Sequence, residues 1–394
     1  MTKALIIGGG IAGTVTAMAL HKAGHEAELF EAYDRTAEGV GAFLTLAVNG
    51  IDTLGALDLK DLVKDIGFAT PGMALSLGNG RELAKFPLGV ALADGTVSQT
   101  VKRSDLYVAL RDEAARRGIV THYGKRLTDA VNVGDGVRAR FEDGTEAEGD
   151  LLIGADGLRS RVREIIDANA PKPRYVRLLN TGGYAEGVRV DDEPGVMRMI
   201  FGKRVFFAYV LHPNGQIWWF ANPAHQNEPT AAELRALAGD SWRAEMLRLV
   251  EVDNSPATEI INATSEIYPP WSTHDFPTVP TWHRGRMLIV GDAAHATSPA
   301  SGQGASMAIE DAVTLGRCLR DLDVPSALRA YESLRRERVE AIVAQGKRNG
   351  DDKAVGPVGR LVRDFFIKQA FKKPAPDQSW MWNHRIEWEA RVAV

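Results

Sequence analysis

Two spacings alternate along the chain. Short apolar runs of strand length occur at Ala4–Ile7, Glu26–Phe30, Asp150–Gly154 and Met287–Val290, and each is followed by a glycine or an acid within two residues. Three of them lead into stretches with helical spacing. These are Ile11–Ala23, ended by Gly24; Val162–Ile166; and a run from Ala305 with apolar positions at 305, 308, 309, 312, 315, 316 and 319. Buried strand followed by helix, repeated, predicts an α/β chain with a parallel sheet. Between these units the spacing predicts short helices at Val48–Leu57 and Leu59–Ile66, β-like pieces at Met73–Leu77, Leu83–Phe86 and Thr96–Thr100, and a helix over Leu106–Arg117 with Ser104 as N-cap. Ile119–His122, Leu127–Val133, Val137–Phe141 and Thr145–Glu148 read as strands, with hairpin signals at Gly134-Asp135-Gly136 and Asp143-Gly144. From Tyr175 to Ala263 period two dominates, with strands expected at Tyr184–Val190, Val196–Phe201, Val205–Leu211, Ile217–Ala221 and Glu259–Ile267 and helices at Ala231–Leu237 and Trp242–Val250. A long helix from Pro325 to about Lys347, a break at Asn349-Gly350 and an amphipathic helix over Val355–Phe371 complete the pattern.

Length and composition narrow this picture. At 394 residues the chain suits about two domains of ~150 residues each. Net charge is −4 and no long basic run occurs, so nucleic acid is not an expected partner. The single cysteine, Cys318, sits on a helical face and cannot form an internal disulfide. With one cysteine and no histidine pair at ligand spacing, no metal site is expected. Lys3 is followed by only a few apolar residues before glycines, and no run reaches the ~18 apolar residues of a membrane span. The expectation is a soluble, cytoplasmic protein with a packed tail holding Trp380, Trp382 and Trp388.

The chemistry begins at Gly8-Gly9-Gly10-Ile11-Ala12-Gly13, which fits G-x-G-x-x-G between a strand and a helix. Glu31 ends the next strand, 18 positions after Gly13. Alone the glycine pattern is weak. In this strand–helix–strand–acid context it predicts a dinucleotide site, with Gly8 for the tight turn, Gly10 for close approach of a pyrophosphate, Gly13 for helix–strand packing and Glu31 for ribose hydroxyls. FAD and NAD would both satisfy it. Asp156 and Asp292 stand at the tips of two further buried strands, each beside a glycine turn. A lone Asp-Gly is ordinary turn chemistry; two such acids beside the fingerprint point to cofactor hydroxyls. The loop Pro299–Gly304 ends at a glycine-flanked helix start whose free N–H groups favour negative charge. Arg103 lies at a helix entrance, where a phosphate contact and plain surface exposure are both open.

Three motifs in order, GGGIAG with Glu31, DLLIGADGLRSRVR (Asp150–Arg163) and GRMLIVGDAAHATSPASGQG (from Gly285), resemble the single-component flavin monooxygenases of the para-hydroxybenzoate hydroxylase fold. The resemblance implies a Rossmann-like FAD-binding domain with an inserted β-sheet substrate domain and C-terminal helices. The expected division is 1–72, 98–172 and 281–323 for FAD, 73–97 and 173–280 for substrate, and 324–394 for the C-terminal helices and tail. It also implies the cofactor contacts: Gly8, Gly10, Ile11, Ala12, Gly13 and Glu31 for the ADP half, Arg103, Leu127 and Asp156 beside it, Gly291 and Asp292 at the ribityl chain, and Pro299, Gly302, Gly304 and Ala305 bordering the flavin ring. His295 is expected to serve local structure.

By the same resemblance, NADH or NADPH would bind transiently, reduce the flavin and, with O2, give a flavin hydroperoxide that hydroxylates or epoxidises an aromatic or polycyclic small molecule. No protein nucleophile is needed. A flavin oxidoreductase without oxygen insertion and a non-catalytic FAD-binding protein are the alternatives, and the oligomeric expectation is monomer or homodimer. The substrate would meet the aromatic middle of the chain. Residues 206, 208 and 210 share one strand face and 207, 209 and 211 the other, and the sequence does not say which face packs on helices. The pocket candidates are Tyr184, Phe206, Tyr209, Trp218 and Phe220, with Arg189, His212 and Asn222 as polar candidates.

Overall fold

The computed structural model describes residues 1–34, 42–351, 353 and 378–392. A six-stranded sheet runs His283–Arg284, Met287–Ile289, Leu151–Gly154, Lys3–Ile7, Glu26–Phe30, Val120–His122. All its pairings are parallel except that of the two-residue edge strand. The strands read as unbroken apolar runs because both faces are covered, by helices and by the three-stranded sheet that brings Phe141 onto Phe30, so Leu5, Ile6, Leu152, Ile153 and Leu288 are all fully buried. Helix Ile11–Lys22 lies against helix Gly304–Asp321 so closely that a Cβ on Gly316 would stand 3.0 Å from the Ala19 Cβ. That contact brings the starts of both helices to the same edge of the sheet as the strand tips.

A second sheet runs Thr264–Ile267, Arg174–Ala185, Ile217–Asn222, Phe206–Leu211, Val196–Phe201, Gly72–Leu77, Glu82–Pro87, with Trp271–Asp275 also pairing onto the second strand. Its pairings are antiparallel except that Gly72–Leu77 runs parallel to Val196–Phe201. Two three-stranded sheets complete the β structure: Glu146–Gly149, Gly136–Phe141, Leu127–Val133, and Phe43–Leu46, Gln99–Lys102, Gly67–Ala69.

Several boundaries differ from the sequence reading. The strand expected at 184–190 spans Arg174–Ala185 instead. Gly182 and Gly183 lie inside it, where a Cβ at Gly182 would meet the Trp219 carbonyl at 2.5 Å and one at Gly183 the Thr264 methyl at 2.7 Å. The β-branched run at 259–267 divides into helix Ala257–Asn262 and strand Thr264–Ile267. Pro256 opens that helix, and its buried residues Ala257, Ile260 and Ile261 fall at helical spacing. The helix expected from Leu106 begins at Arg103, with Lys102 at the N-cap; Ser104 lies within the first turn and donates to Asp105. Nor does Asn349-Gly350 break the long helix, which spans Val324–Asp351. The expected helix at 355–371 and the glycine-rich stretch at 38–41 lie outside the described residues. Among the described residues no helix is long and apolar enough to cross a membrane.

Helices Gly304–Asp321 and Val324–Asp351 are joined by buried ion pairs. Arg335, 1% exposed, donates Nη1–H to Glu310 at 2.7 Å and Nε–H to Asp311 at 2.7 Å; both acids are fully buried. Arg338 gives Glu310 two further bonds, at 2.9 and 2.8 Å. Burial pushes both carboxyls up, but the guanidinium groups outweigh it for Glu310, and His295 with Arg335 outweighs it for Asp311. Each ends at about 2.

Removing one member of such a cluster strands buried charge. Arg335→Met is therefore expected to cost roughly 3–5 kcal/mol in urea unfolding; a loss below about 1 kcal/mol contradicts the cluster's role. The acids have depressed folded-state pKa values, so their contribution is complete above the unfolded values of about 3.9 and 4.3 and is lost as pH falls toward about 2. Thermal midpoints measured from pH 6 downward should hold until about pH 4 and then fall, with a shallower fall in Arg335→Met.

Candidate functional site

Three strand tips converge at one edge of the parallel sheet. Gly8 has φ +102°, and a Cβ there would stand 2.5 Å from the Ala155 carbonyl oxygen. A Cβ on Gly13 would lie 1.9 Å from the Gly8 carbonyl oxygen, so helix and strand touch backbone to backbone. Gly291, at φ +59°, brings the third tip within 2.9 Å of the Ala12 methyl by the same measure. Gly10 is different: nothing lies within 4 Å of its would-be Cβ. It opens helix Ile11–Lys22, which has no side-chain cap, so its first N–H groups face that space.

Each acid has a distinct environment. Glu31 is 9% exposed and accepts from the Gly9 N–H at 2.8 Å and the Tyr33 N–H at 3.0 Å. Asp156 is turned into its own loop, where it accepts from the Ser160 hydroxyl at 2.5 Å and from the backbone N–H groups of Arg161 and Val162 at 2.7 and 3.1 Å. The ordinary-turn role of this residue is therefore the one its side chain fills; burial pushes its carboxyl up, against those bonds. Asp292 is exposed at the head of the one-turn helix Asp292–His295, and its carboxylate has no hydrogen bond among the described residues. Arg103 is also exposed, at the first position of its helix. Leu127 begins its strand with its side chain 6% exposed in the main core.

Cross-links hold the tips in register. Arg163 donates to the Leu158 and Ala293 carbonyls, both at 2.9 Å, and stacks on Phe276, so it ties the second motif to the third. Asp311 accepts from the Gly291 N–H at 2.9 Å and pairs with His295 Nε2 at 2.5 Å. His295 is 3% exposed and serves this local structure. Beyond it, Pro299–Ser301 forms a single 3-10 turn, Gly302 adopts φ +63°, and helix Gly304–Asp321 starts without a side-chain cap or an acid in its first turn. Pro299 and Gly302 are exposed, and Gly304 and Ala305 partly so. Buried Gln303 is fixed by Asn49, which donates to Gln303 at 2.9 Å and to Glu310 at 2.7 Å; the Gln303 Nε2 and Ser306 Oγ have no partner among the described residues. An open cradle at Gly10, two uncapped helix starts, an unpartnered acid and orphaned polar atoms together fit a bound FAD.

The second sheet shows which of its faces packs on the helices. Phe207, Tyr209 and Trp219 pack with Trp242, Met246 and Ile260 of the covering helices. Tyr209 is therefore not on the same face as the other pocket candidates, and its hydroxyl bonds to Asp192. Phe206, Ala208, Val210 and Trp218 form a separate cluster, joined by Phe220 and Tyr184 and by Phe43 and Phe68 of the small sheet. Phe43 stands 5.6 Å from Trp218 and 6.0 Å from Phe220 between ring centroids, so a strand next to the cofactor region meets this face. His212 stacks on Trp218 at 5.2 Å, while buried Asn222 shares the Phe220 face. Sequence reasoning missed Phe43, the Asn49–Gln303 pair and Lys353; Gln303 lies inside the third motif, but its pairing with Asn49 of a distant helix has no local signal, and neither do Phe43 and Lys353.

Comparison with known proteins agrees with this geometry. The FAD binding domain family matches residues 1–346, and the chain belongs to that family. It is 32% identical over 355 residues to the aurachin C monooxygenase/isomerase of Stigmatella aurantiaca, covering 88% of each chain. It is 31% identical over 364 residues to an FAD-dependent urate hydroxylase of Klebsiella pneumoniae, covering 89% of this chain and 90% of the relative. Klebsiella pneumoniae HpxO, solved with FAD and uric acid, superposes with a TM-score of 0.80 at 26% identity, over 97% of this chain and 96% of that one. The protein is an FAD-dependent monooxygenase by class, and FAD is its cofactor.

Three substitutions separate cofactor binding from folding. Asp292→Ala should weaken FAD binding by roughly 10-fold or more, the loss of a charge-assisted hydrogen bond, read by flavin fluorescence titration of apoprotein; unchanged affinity removes its ribityl role. Gly10→Ala should leave the apoprotein's thermal midpoint in place while lowering FAD affinity, whereas Gly13→Ala should lower the midpoint itself.

Proposed function

We propose that this enzyme hydroxylates or epoxidises an aromatic or polycyclic small molecule, using O2 and either NADH or NADPH. The observation that carries the reading is the aromatic face of Phe206, Trp218, Phe220 and Tyr184, turned away from the covering helices and met by Phe43. A flat, apolar substrate suits such a face through ring stacking. The named activities of the relatives, a monooxygenase/isomerase and a urate hydroxylase, support the same reaction class.

In this reading the glycine turn at Gly8–Gly13 takes the pyrophosphate on uncapped N–H groups, Glu31 exchanges its bond to Gly9 for ribose hydroxyls, and Asp292 holds the ribityl chain. Arg103 stands at the phosphate side and Asp156 shapes its turn rather than touching the cofactor directly. FAD supplies the redox and oxygen chemistry. The protein's own contribution is positional and electrostatic. The start of helix Gly304–Asp321 favours the negative charge that reduced flavin carries. The aromatic face excludes water from the reacting centre.

NAD(P)H oxidation by the FAD-loaded enzyme should rise when an accepted aromatic compound is added, and isotope-labelled dioxygen should leave one labelled atom in the product. Substrate-stimulated oxidation with no label in any product would assign the enzyme to flavin oxidoreductases that do not insert oxygen.

A further inference from the structure

The aromatic face carries a half-buried lysine with no carboxylate partner among the described residues. Lys353 follows the long helix, its N–H bonded to the Gly350 carbonyl at 3.0 Å. Its ammonium lies 3.8 Å from the Phe206 ring centroid and 5.8 Å from that of Phe220, and donates to Asn222 Oδ1 at 2.8 Å. Asn222 is fixed in turn by its bond to Asn180 at 2.5 Å. The residue keeps some exposed surface, but burial brings its pKa down to about 7, and among the described residues no carboxylate pairs with it. The helix end that delivers it is fastened to the flavin-side loop. Asn349 donates to the Ala300 carbonyl at 3.1 Å, and a Cβ on Gly346 would lie 2.7 Å from the Thr297 hydroxyl. At the other side of the same face Lys102 stands 5.1 Å from the Tyr184 ring and 5.7 Å from the Trp218 ring.

A buried ammonium lacking a counter-charge is costly, and a cation held over rings is only partly compensated. An anion brought to the Lys353 ammonium would complete it. We infer that Lys353 is a specificity-determining residue that selects aromatic substrates bearing a negative charge, with the charged group at Lys353 and the ring against Phe206 and Phe220. This rests on the monooxygenase reading for the location of the substrate, but its test needs no turnover.

Binding to the oxidised, FAD-loaded enzyme is followed by perturbation of flavin absorbance for three matched pairs: salicylate and salicylamide, 4-hydroxybenzoate and 4-hydroxybenzamide, 2-naphthoate and 2-naphthamide. In the unmodified enzyme at least one anion should bind about tenfold or more tightly than its amide, the value of one buried charge pair at roughly 1.4 kcal/mol. Lys353→Met should abolish that preference and Lys353→Arg retain part of it. Equal or tighter binding of the amides in the unmodified enzyme, no binding by any of the anions, or a preference that survives Lys353→Met each overturns the inference. Loss of labelled-oxygen incorporation would instead count against the monooxygenase reading and leave the anion preference standing.

Discussion

Arg335 is the charge on which the cofactor edge depends. Burying a guanidinium and two carboxylates costs several kcal/mol per ion before their attraction is counted. Here both oxygens of each carboxylate are given a geometric task. Asp311 spends one oxygen on Arg335 and the other on the Gly291 N–H and His295. Glu310 takes Arg335, Arg338 and Asn49, and through Asn49 it fixes Gln303 at the start of its own helix. An apolar replacement of the same volume would pack as well, but it would leave the Gly291 turn and the Gln303 side chain without directed partners. The cluster thus converts helix packing into the position of two backbone turns, at Gly291 and at Gln303.

The site has two kinds of wall. On the dinucleotide side the walls are backbone: glycines at contact distance, uncapped helix starts and an acid left free. On the substrate side they are side chains, with aromatic rings from two sheets meeting edge to face, as between Phe68 and Trp218. The long helix joins the two. Gly346 and Gly350 let it approach the Thr297–Ala300 loop, and the residues beyond bring a lysine over the aromatic face. Trp382 reaches the same loop from the tail, 3.5 Å from where a Cβ on Gly302 would be.

The parts that bind by backbone were the parts legible in the sequence. A tight turn demands glycine at fixed intervals, so Gly8–Gly13 and the turns at Gly157 and Gly291 announced themselves, as did the apolar runs that precede them. Side-chain walls carry no such constraint. Period two placed Phe206 and Phe207 on opposite faces, yet nothing local says which face the helices of residues 239–262 will cover; that is decided by long-range packing. Tyr209 fell on the covered face for this reason. Asp156 looked like Asp292 in sequence, and only the geometry of Ser160, Arg161 and Val162 shows it bound within its own loop. Asn349-Gly350 was read as an interruption because glycine usually ends an element; here Gly350 lies against Ser298 and Ala300, and the helix continues through it.

The sheet order also has a consequence for how the chain is made. Lys3–Ile7 is central, and its neighbours are Glu26–Phe30 on one side and Leu151–Gly154 on the other, with Met287–Ile289 beyond. The Gly291 turn and Arg335 are made some three hundred residues after the glycine turn. At ~5–20 residues per second the interval is on the order of tens of seconds. During that time the first strand–helix unit lacks helix Gly304–Asp321, which packs against it through Gly316 and Ala19, and so keeps an apolar helix face uncovered.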